Sequence, residues 1–507
     1  MRQRPASVVE AFIRNAESAP EKPCLIFEGE PWSYERLRGR AVYFAAALST
    51  WGLRWGERVA LYLGNSPDFL AAYLGTHLAG GVIVPVNTQY RKGELGHIFN
   101  DAGVRLCLTD RELRPELERA RKDLPALEAV IEAGEELESF LDVEACDPGL
   151  PKAEDLAVIA YTSGTTGRSK GAMLLHRNLV ANIKAICEAW RWTADGHLLL
   201  TLPLFHTHGL MVGAHGTIFA GASAELRRDF DATEVYDALL EGPFTMFFGV
   251  PTMYTRLLRE AETREEGPRP LRLYVSGSAA LSSQAFGEFE RLFGERILER
   301  YGMTETGMNL TNPYDGERRP GTVGGPFPGQ EARVVGVEGR EILPAGEVGE
   351  IEVRGPHVFE GYLNRPEATA EVFDADGWFA TGDLGSVSED GYYTISGRAK
   401  ELIISGGYNV YPREVEEVIE SCPGVSEVAV IGLPDEEFGE QVTAAVVRGA
   451  GPEGSGLTAE KVTDFCREDL AGYKKPRRVV FVEALPRNAM GKVLKHEVRE
   501  GLIGGEG

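Results

Sequence analysis

The stretch that decides the fold is LAVIAYTSGTTGRSKG (156–171), where a run of apolar residues ends in a loop rich in glycine, serine and threonine. The apolar run predicts a buried strand. The loop offers backbone N–H groups and hydroxyls that can close around phosphate oxygens, and Lys170 adds a positive charge. It is not a Walker A loop, because the order G-x-x-x-x-G-K-[ST] is absent. Taken alone, the loop is also compatible with a glycine-rich turn that binds nothing.

Similar apolar runs occur on both sides of this stretch. HLLLTLPLF (197–205), PFTMFFGVP (243–251) and LRLYVSGSA (271–279) each end in small or turn residues, and RVALYLGN (58–65) and VIVPVN (82–87) flank a helical pattern. This alternation of strands and helices predicts parallel sheets with helices on both faces. Ligands of such sheets bind beyond the carboxyl ends of the strands. We therefore expect the functional residues at these strand ends.

The pattern changes after about residue 320. Short, glycine-punctuated segments such as GWFATGDLGSV (377–387) and GYYTISGR (391–398) predict a small antiparallel sheet or barrel. From residue 401 onward, alternating strand and helix patterns predict a compact α+β module. The expected fold is α/β, with a large N-terminal domain (1–399) of doubly wound sheets and a small β-barrel-like subdomain. A small, mobile α+β C-terminal domain (400–507) follows it.

Composition excludes several classes of protein. The 507 residues exceed one ordinary core, and the net charge of −24 argues against nucleic acid as a partner, although local cations can still bind an anionic substrate. The six cysteines are scattered and predict reduced thiols, not a disulfide framework or a zinc site. The sequence contains no run of about 18 apolar residues, so no membrane span is predicted, and the first twenty residues lack a signal-peptide pattern. We expect a cytoplasmic protein of undetermined oligomeric state.

Four further motifs follow the glycine-rich loop in order: YGMTE (301–305), TGD (381–383), GRAKE (397–401) and PRNAMGK (486–492). Together with the loop, they resemble the signature motifs of the adenylate-forming superfamily, which contains acyl-CoA synthetases, luciferases and adenylation domains of peptide synthetases. The resemblance covers essentially the full chain. It implies an ATP-dependent acid–CoA ligase that forms an acyl-adenylate and then a thioester, with ATP and CoA as co-substrates and Mg²⁺ as cofactor. AMP and pyrophosphate are the expected products.

The resemblance also implies roles for individual residues. The reaction brings two anions together, so the site must neutralise charge and position the attack. The expected catalytic residues are Lys492, Glu305, Thr162 and His206, with Thr162 and Glu305 as metal ligands. The expected ATP-binding residues are Thr162, Ser163, Gly164, Thr165, Thr166, Gly167, Lys170, Ser278, Ala279, Tyr301, Thr304, Asp383, Arg398 and Lys492. Lys400 matches the hinge of the family, and Gly406 and Gly407 match the segment that borders the CoA tunnel.

The acid substrate is predicted from Arg300, which directly precedes the YGMTE motif. An unpaired cation in an acyl pocket is costly, and a second carboxylate on the substrate would pair with it. The expected substrate-binding residues are Arg300, His208, Ser278 and Met303. The segments HTHG, VSGSAAL and ERYGMTET resemble malonyl-CoA synthetases, so malonate or methylmalonate is the favoured acid.

Three alternatives remain open at this point. Arg300 could pair with a protein carboxylate such as Glu299, and the pocket would then hold a fatty or other monocarboxylic acid. The chain could be a stand-alone adenylation enzyme that loads a carrier protein. A non-catalytic binding module with the same fold is the third alternative, and the presence of the charged motif residues argues against it.

Overall fold

The computed structural model describes residues 5–145, 149–162, 169–337, 339–406, 408–435, 438–488 and 491–504. In chain order, the strands are β1 Pro23–Phe27, β2 Glu30–Ser33, β3 Arg58–Tyr62, β4 Val82–Pro85, β5 Val104–Thr109, β6 Ala129–Glu132, β7 Leu156–Thr162, β8 Lys170–Leu175, β9 His197–Leu200, β10 Ser223–Leu226, β11 Met246–Gly249, β12 Leu273–Ser276, β13 Leu298–Met303, β14 Gly307–Thr311, β15 Gly325–Pro326, β16 Glu331–Val335, β17 Gly349–Arg354, β18 Gly361–Tyr362, β19 Phe379–Val387, β20 Tyr393–Arg398, β21 Ile403–Ser405, β22 Tyr408–Val410, β23 Val425–Asp435, β24 Gly439–Arg448 and β25 Arg478–Val482.

The α-helices are α1 Val8–Ser18, α2 Tyr34–Trp51, α3 Pro67–Leu78, α4 Lys92–Ala102, α5 Arg114–Ala120, α6 Glu135–Leu141, α7 His176–Ala189, α8 His215–Ala220, α9 Ala232–Glu241, α10 Pro251–Glu262, α11 Ser283–Phe293, α12 Pro366–Val372, α13 Pro412–Glu420, α14 Pro452–Ser455, α15 Ala459–Asp469 and α16 Lys495–Gly504. A π-helix, His208–Ala214, leads into α8, and 3₁₀ turns cover Arg121–Asp123 and Ala399–Glu401. None of the helices in the described ranges is long and apolar enough to cross a bilayer.

Two large sheets form the N-terminal part. One has nine strands in the order β15-β14-β13-β12-β11-β9-β10-β1-β2, and its centre, from β13 to β1, is parallel. The other has seven strands in the order β18-β8-β7-β4-β3-β5-β6, and its five strands β7, β4, β3, β5 and β6 are parallel. The sequence prediction of parallel sheets with intervening helices is therefore confirmed. Because β9, β11, β12 and β13 are parallel neighbours, their carboxyl ends share one edge of the first sheet.

The main core contains buried residues of both large sheets and of helices α1, α2, α3 and α7. Serine side chains at positions 7, 33 and 66 accept a backbone N–H from the first turn of α1, α2 and α3. These caps satisfy helix donors that would otherwise remain unpaired near the core. The cysteines of the described chain are free thiols, as the sequence predicts.

Two smaller sheets complete the molecule. The antiparallel sheet β16-β17-β19-β20 is open, because its outer strands β16 and β20 do not pair with each other within the part of the chain that the structure describes. Of the two forms predicted for this region, sheet or barrel, the sheet is found. Beyond it, β22-β21-β24-β23 and β25 pack with α13, α15 and α16 as a separate α+β unit. The boundary predicted between residues 399 and 400 falls inside the turn Ala399–Glu401 and remains a prediction.

Candidate active site

The loop after β7 begins at Thr162 and ends at Lys170, which are paired across β7 and β8. The predicted residues Ser163, Gly164, Thr165, Thr166 and Gly167 lie outside the described residues. The carbonyl of Ser169 is 2.7 Å from Nε2 of His97. Lys170 therefore enters the site from the first residue of a strand, with its backbone fixed by the sheet.

Lys170 and Glu305 meet the same tyrosine. The Nζ atom of Lys170 lies 4.8 Å from the centroid of the Tyr362 ring, a cation–π contact. The hydroxyl of Tyr362 donates a 2.9 Å hydrogen bond to Oε1 of Glu305. Tyr362 belongs to β18, which pairs with β8 and so carries the tyrosine next to Lys170. Tyr362 was not among the residues predicted from the sequence, because it lies outside the five family motifs.

Glu305 lies in the turn between β13 and β14 and is only 6% exposed. The backbone carbonyl of Glu305 accepts the N–H of Phe359 at 2.9 Å. Burial raises the pKa of its carboxyl, while the hydrogen bond from Tyr362 and the charge of Arg398 act in the opposite direction. No salt bridge to Glu305 occurs among the described residues.

The donor set around Glu305 fits magnesium. The described chain contains no cluster of three or more His, Cys, Asp or Glu side chains that would hold a metal by itself. Magnesium typically binds one or two carboxylates together with phosphate oxygens and water. A single buried carboxylate without an ion-pair partner, next to a phosphate-type loop, matches that requirement.

Asp383 organises the nucleotide side of the site. Its Oδ1 atom forms a 2.7 Å salt bridge with Nε of Arg398, which lies directly opposite on β20. Its Oδ2 atom accepts a hydrogen bond from the hydroxyl of Tyr301. Each carboxylate oxygen retains a second lone pair that can accept a hydroxyl. Tyr301, Asp383 and Arg398, three predicted nucleotide residues from distant segments, are thus in direct contact.

Arg300 is a buried cation without an anion. It is 3% exposed, its Nε and Nη2 atoms have no hydrogen-bond partner, and no carboxylate among the described residues pairs with it. Burial lowers the pKa of the guanidinium to about 9. A Cβ added to Gly277 would lie 2.4 Å from Cζ of Arg300, so the guanidinium packs directly on the backbone after β12.

Polar groups without partners surround this guanidinium. His208 is 1% exposed and neither of its ring nitrogens is hydrogen-bonded, and the charge of Arg300 adds to burial in lowering its pKa. The pKa of His206 falls to about 4 for the same two reasons. Buried polar groups of proteins are normally satisfied, so Arg300 and His208 together have the composition of an anion-binding pocket.

Of the two serines near the end of β12, only Ser278 was predicted to line this pocket. Ser278 is half-buried and its φ of +72° lies in the left-handed region, which is uncommon for a residue other than glycine. Ala279 is exposed. Ser276, at the end of β12, has a buried hydroxyl without a partner, but it is paired with Glu299 and therefore lies on the face of the sheet opposite to Arg300. The role of Ser278 in the pocket remains a prediction.

Glu299 does not neutralise Arg300. Its carboxylate accepts the backbone N–H of Gly321 at 3.1 Å, and successive side chains of a strand point to opposite faces. Burial raises the pKa of Glu299 to about 7. The alternative in which these two neighbours form an ion pair is therefore wrong.

The other predicted residues lie around these groups. Thr304 and Met303 are half-buried at the turn after β13, and Sδ of Met303 is 3.8 Å from the Tyr301 hydroxyl. Lys400 lies in the turn Ala399–Glu401. Gly406 donates its N–H to the carbonyl of Phe438, with a φ of +59°. Gly407 lies outside the described residues.

Lys492 reaches this site from the C-terminal unit. Burial lowers its pKa, and Arg398 and Asp383 are the next charges that act on it. A Cβ at Gly491 would be 2.8 Å from Oγ1 of Thr252 in α10, so the loop packs against the N-terminal part. The residue farthest along the chain is thus placed beside the predicted nucleotide residues.

A sequence model of the AMP-binding enzyme family matches residues 12–363, and a model of the AMP-binding enzyme C-terminal domain matches residues 414–492. The chain belongs to the AMP-binding enzyme family. It is 34% identical to a malonate–CoA ligase of Arabidopsis thaliana over 98% of this chain and 88% of that protein. It is 33% identical to a long-chain-fatty-acid–CoA ligase of Bacillus subtilis over 96% of this chain and 93% of that protein.

A solved structure gives the same family assignment. ATP-bound MatB from Rhodopseudomonas palustris superimposes with a TM-score of 0.91 at 41% identity, covering 98% of each chain. As a member of the AMP-binding enzyme family, this chain is an AMP-forming acyl-CoA ligase with ATP and CoA as co-substrates. The expected family and reaction type are confirmed.

Proposed function

We propose that the acid substrate is malonate or its 2-methyl derivative, which the enzyme converts to the corresponding CoA thioester. The observation that carries this proposal is the buried, unpaired guanidinium of Arg300 beside His208, whose ring nitrogens have no hydrogen-bond partner. The similarity to a malonate–CoA ligase and to MatB supports it. A fatty acyl chain would leave this cation buried without a counter-charge.

The second carboxylate of a dicarboxylic acid fits this pocket. A guanidinium donates two parallel N–H groups to one carboxylate, and the free Nε and Nη2 atoms of Arg300 are donors suited to that geometry. Neutral His208 can donate to the same anion. The distal carboxylate would thereby fix the acid so that its other carboxylate faces the nucleotide.

In the first half-reaction, that free carboxylate oxygen attacks the α-phosphorus of ATP. An acyl–phosphate bond forms, and pyrophosphate leaves. Lys170 would neutralise the departing phosphates, and Lys492 and Arg398 would neutralise the charge that collects near the α-phosphate. Asp383 would accept the ribose hydroxyls. Magnesium, held by Glu305 and Thr162, would supply further charge neutralisation on the phosphates.

In the second half-reaction, the sulfur of CoA attacks the acyl carbon, a thioester forms, and AMP leaves. The Lys492 loop occupies the nucleotide side of the site, so a thiol needs this loop to withdraw. Rotation of the C-terminal domain about Lys400 would move Lys492 out and bring the turn at Gly406 in. The hinge, the domain boundary and the CoA-lining role of Gly406 and Gly407 belong to this proposal.

A pyrophosphate-release assay with malonate, methylmalonate, acetate and octanoate tests the choice of acid. Breaking a buried charge pair costs about 3–5 kcal/mol, so we expect Arg300→Ala to lower kcat/KM for malonate by roughly 10²- to 10⁴-fold. The KM for ATP should change little. Equal malonate turnover in the variant, or faster release with octanoate than with malonate in the wild type, would refute the proposal.

Gly277→Ala provides a second, independent perturbation of the same pocket. Its new methyl group would displace the guanidinium without removing any charge, because the Cβ position lies 2.4 Å from Cζ of Arg300. We expect this variant to raise the KM for malonate. Gly287→Ala is the matched control, because a Cβ at Gly287, on α11, meets no atom within 4 Å.

A further inference from the structure

Tyr362 lies between two oppositely charged groups that the proposed reaction uses separately. Its hydroxyl donates to Oε1 of Glu305 at 2.9 Å, and its ring carries Nζ of Lys170 at 4.8 Å from the centroid. Lys170 and Glu305 do not form a salt bridge with each other or with any other residue in the described ranges. Tyr362 thus contacts both a lysine and a glutamate, whose opposite charges would attract each other if they met.

The tyrosine itself is held firmly. Its backbone pairs with Ala172 of β8, and its N–H donates to Oγ1 of Thr369 at 2.9 Å. The ring of Phe359 packs edge-on at 4.9 Å between centroids, and Tyr362 is 8% exposed. The same segment holds Glu305, because the N–H of Phe359 donates to the Glu305 carbonyl.

The geometry points to Tyr362 as a positioning residue that keeps Glu305 available to a divalent cation and Lys170 available to phosphate. Two effects are combined. The hydroxyl orients the carboxylate and stabilises its ionised form, and the ring blocks a Lys170–Glu305 ion pair that would withdraw both charges from the ligand. This inference rests on the nucleotide roles given to Lys170 and Glu305 in the proposed function, and on none of the residues of the acid pocket.

Two substitutions separate these effects. Tyr362→Phe removes the hydroxyl and keeps the ring over Lys170, so only the orientation of Glu305 is lost. Tyr362→Leu removes both and lets Lys170 approach Glu305. Tyr236→Phe is the matched control. Tyr236 lies on α9, away from the site, and its hydroxyl donates to the backbone carbonyl of Glu266 at 3.0 Å.

Isothermal titration calorimetry of the full chain with ATP, in magnesium and in EDTA, measures the outcome directly. Losing a hydrogen bond to a charged group predicts a dissociation constant of Mg·ATP raised about 10-fold in Tyr362→Phe. The dissociation constant of metal-free ATP should be nearly unchanged. Tyr362→Leu should weaken both, and adding Glu305→Gln to it should restore the binding of metal-free ATP by removing the competing carboxylate.

Several results would overturn the inference. These are an equal loss of Mg·ATP and metal-free ATP binding in Tyr362→Phe, no loss in either, or a failure of Glu305→Gln to restore binding in the Leu background. If Tyr362→Leu does not fold, the magnesium dependence of Tyr362→Phe alone decides. A wild-type protein that binds Mg·ATP but releases no pyrophosphate with malonate would refute only the choice of acid, because the titrations contain no acid.

Discussion

Replacing Lys492 by alanine should stop the first half-reaction and spare the second. The lysine is desolvated beside Arg398 and Asp383, and burial is the main cause that lowers its pKa. One preorganised donor to developing charge is worth about 3–4 kcal/mol, which corresponds to a loss of roughly 10²- to 10³-fold. The upper part of that range is expected, because a desolvated cation interacts with the phosphate through a low local dielectric.

The two half-reactions can be measured separately. Malonate-dependent exchange of labelled pyrophosphate into ATP reports adenylation, and thioester formation from supplied malonyl-adenylate and CoA reports the transfer. Lys495→Ala is the control, because Lys495 follows three residues later but is held by Glu416 at 2.6 Å. An equal loss of both half-reactions in Lys492→Ala, or a comparable loss of exchange in Lys495→Ala, would refute the assigned role.

Two further predictions concern the hinge and acid stability. Lys400→Pro should slow thioester formation more than adenylation, because a fixed φ restricts the turn Ala399–Glu401, and unchanged rates at both steps would contradict a hinge there. Burial lowers the pKa of His176 to about 4 and of His215 to about 3, so both stay neutral in the folded protein while the unfolded chain takes up protons below about 6.5. Their folded pKa values are depressed, so stability is complete above pH 6.5 and falls as the pH drops toward 4, by about 1.4 kcal/mol per pH unit for each histidine. Urea unfolding of His215→Phe from pH 7 to 4.5 should show a shallower pH slope than wild type, whereas replacing the exposed His496 by Gln should leave the slope unchanged.

The sequence was sufficient to predict the strands whose ends carry the predicted site residues. Apolar runs that end in small residues became β7, β9, β11 and β12, and the carboxyl ends of the last three lie at one edge of a parallel sheet. That outcome follows from local signals, since strand runs and helix caps are read over a few residues. Arg300 was predicted in a different way, from its place directly before the YGMTE motif and from the cost of an unpaired cation in an acyl pocket.

Contacts between distant segments were not predictable in this way. Tyr362 comes next to Lys170 only because β18 returns to pair with β8 after almost two hundred residues. Ser276 and Ser278 are two residues apart. Which of them is buried depends on where β12 ends and on the left-handed φ of Ser278. The bond between Tyr301 and Asp383 joins two sheets, so no periodicity within either segment could indicate it.

The arrangement of cations explains how a protein with a net charge of −24 can bring anions together. Arg398 is neutralised by Asp383 before any ligand arrives, whereas Arg300 and Lys492 have no salt bridge among the described residues. A buried cation without a partner destabilises the free enzyme, and that cost is relieved only by an anion that fits beside it. Acetate would leave Arg300 uncompensated, so selection for a dicarboxylic acid would arise from the penalty for binding the wrong acid as much as from attraction to the right one. The unpaired state of Arg300 in the free enzyme is thus itself the proposed basis of specificity.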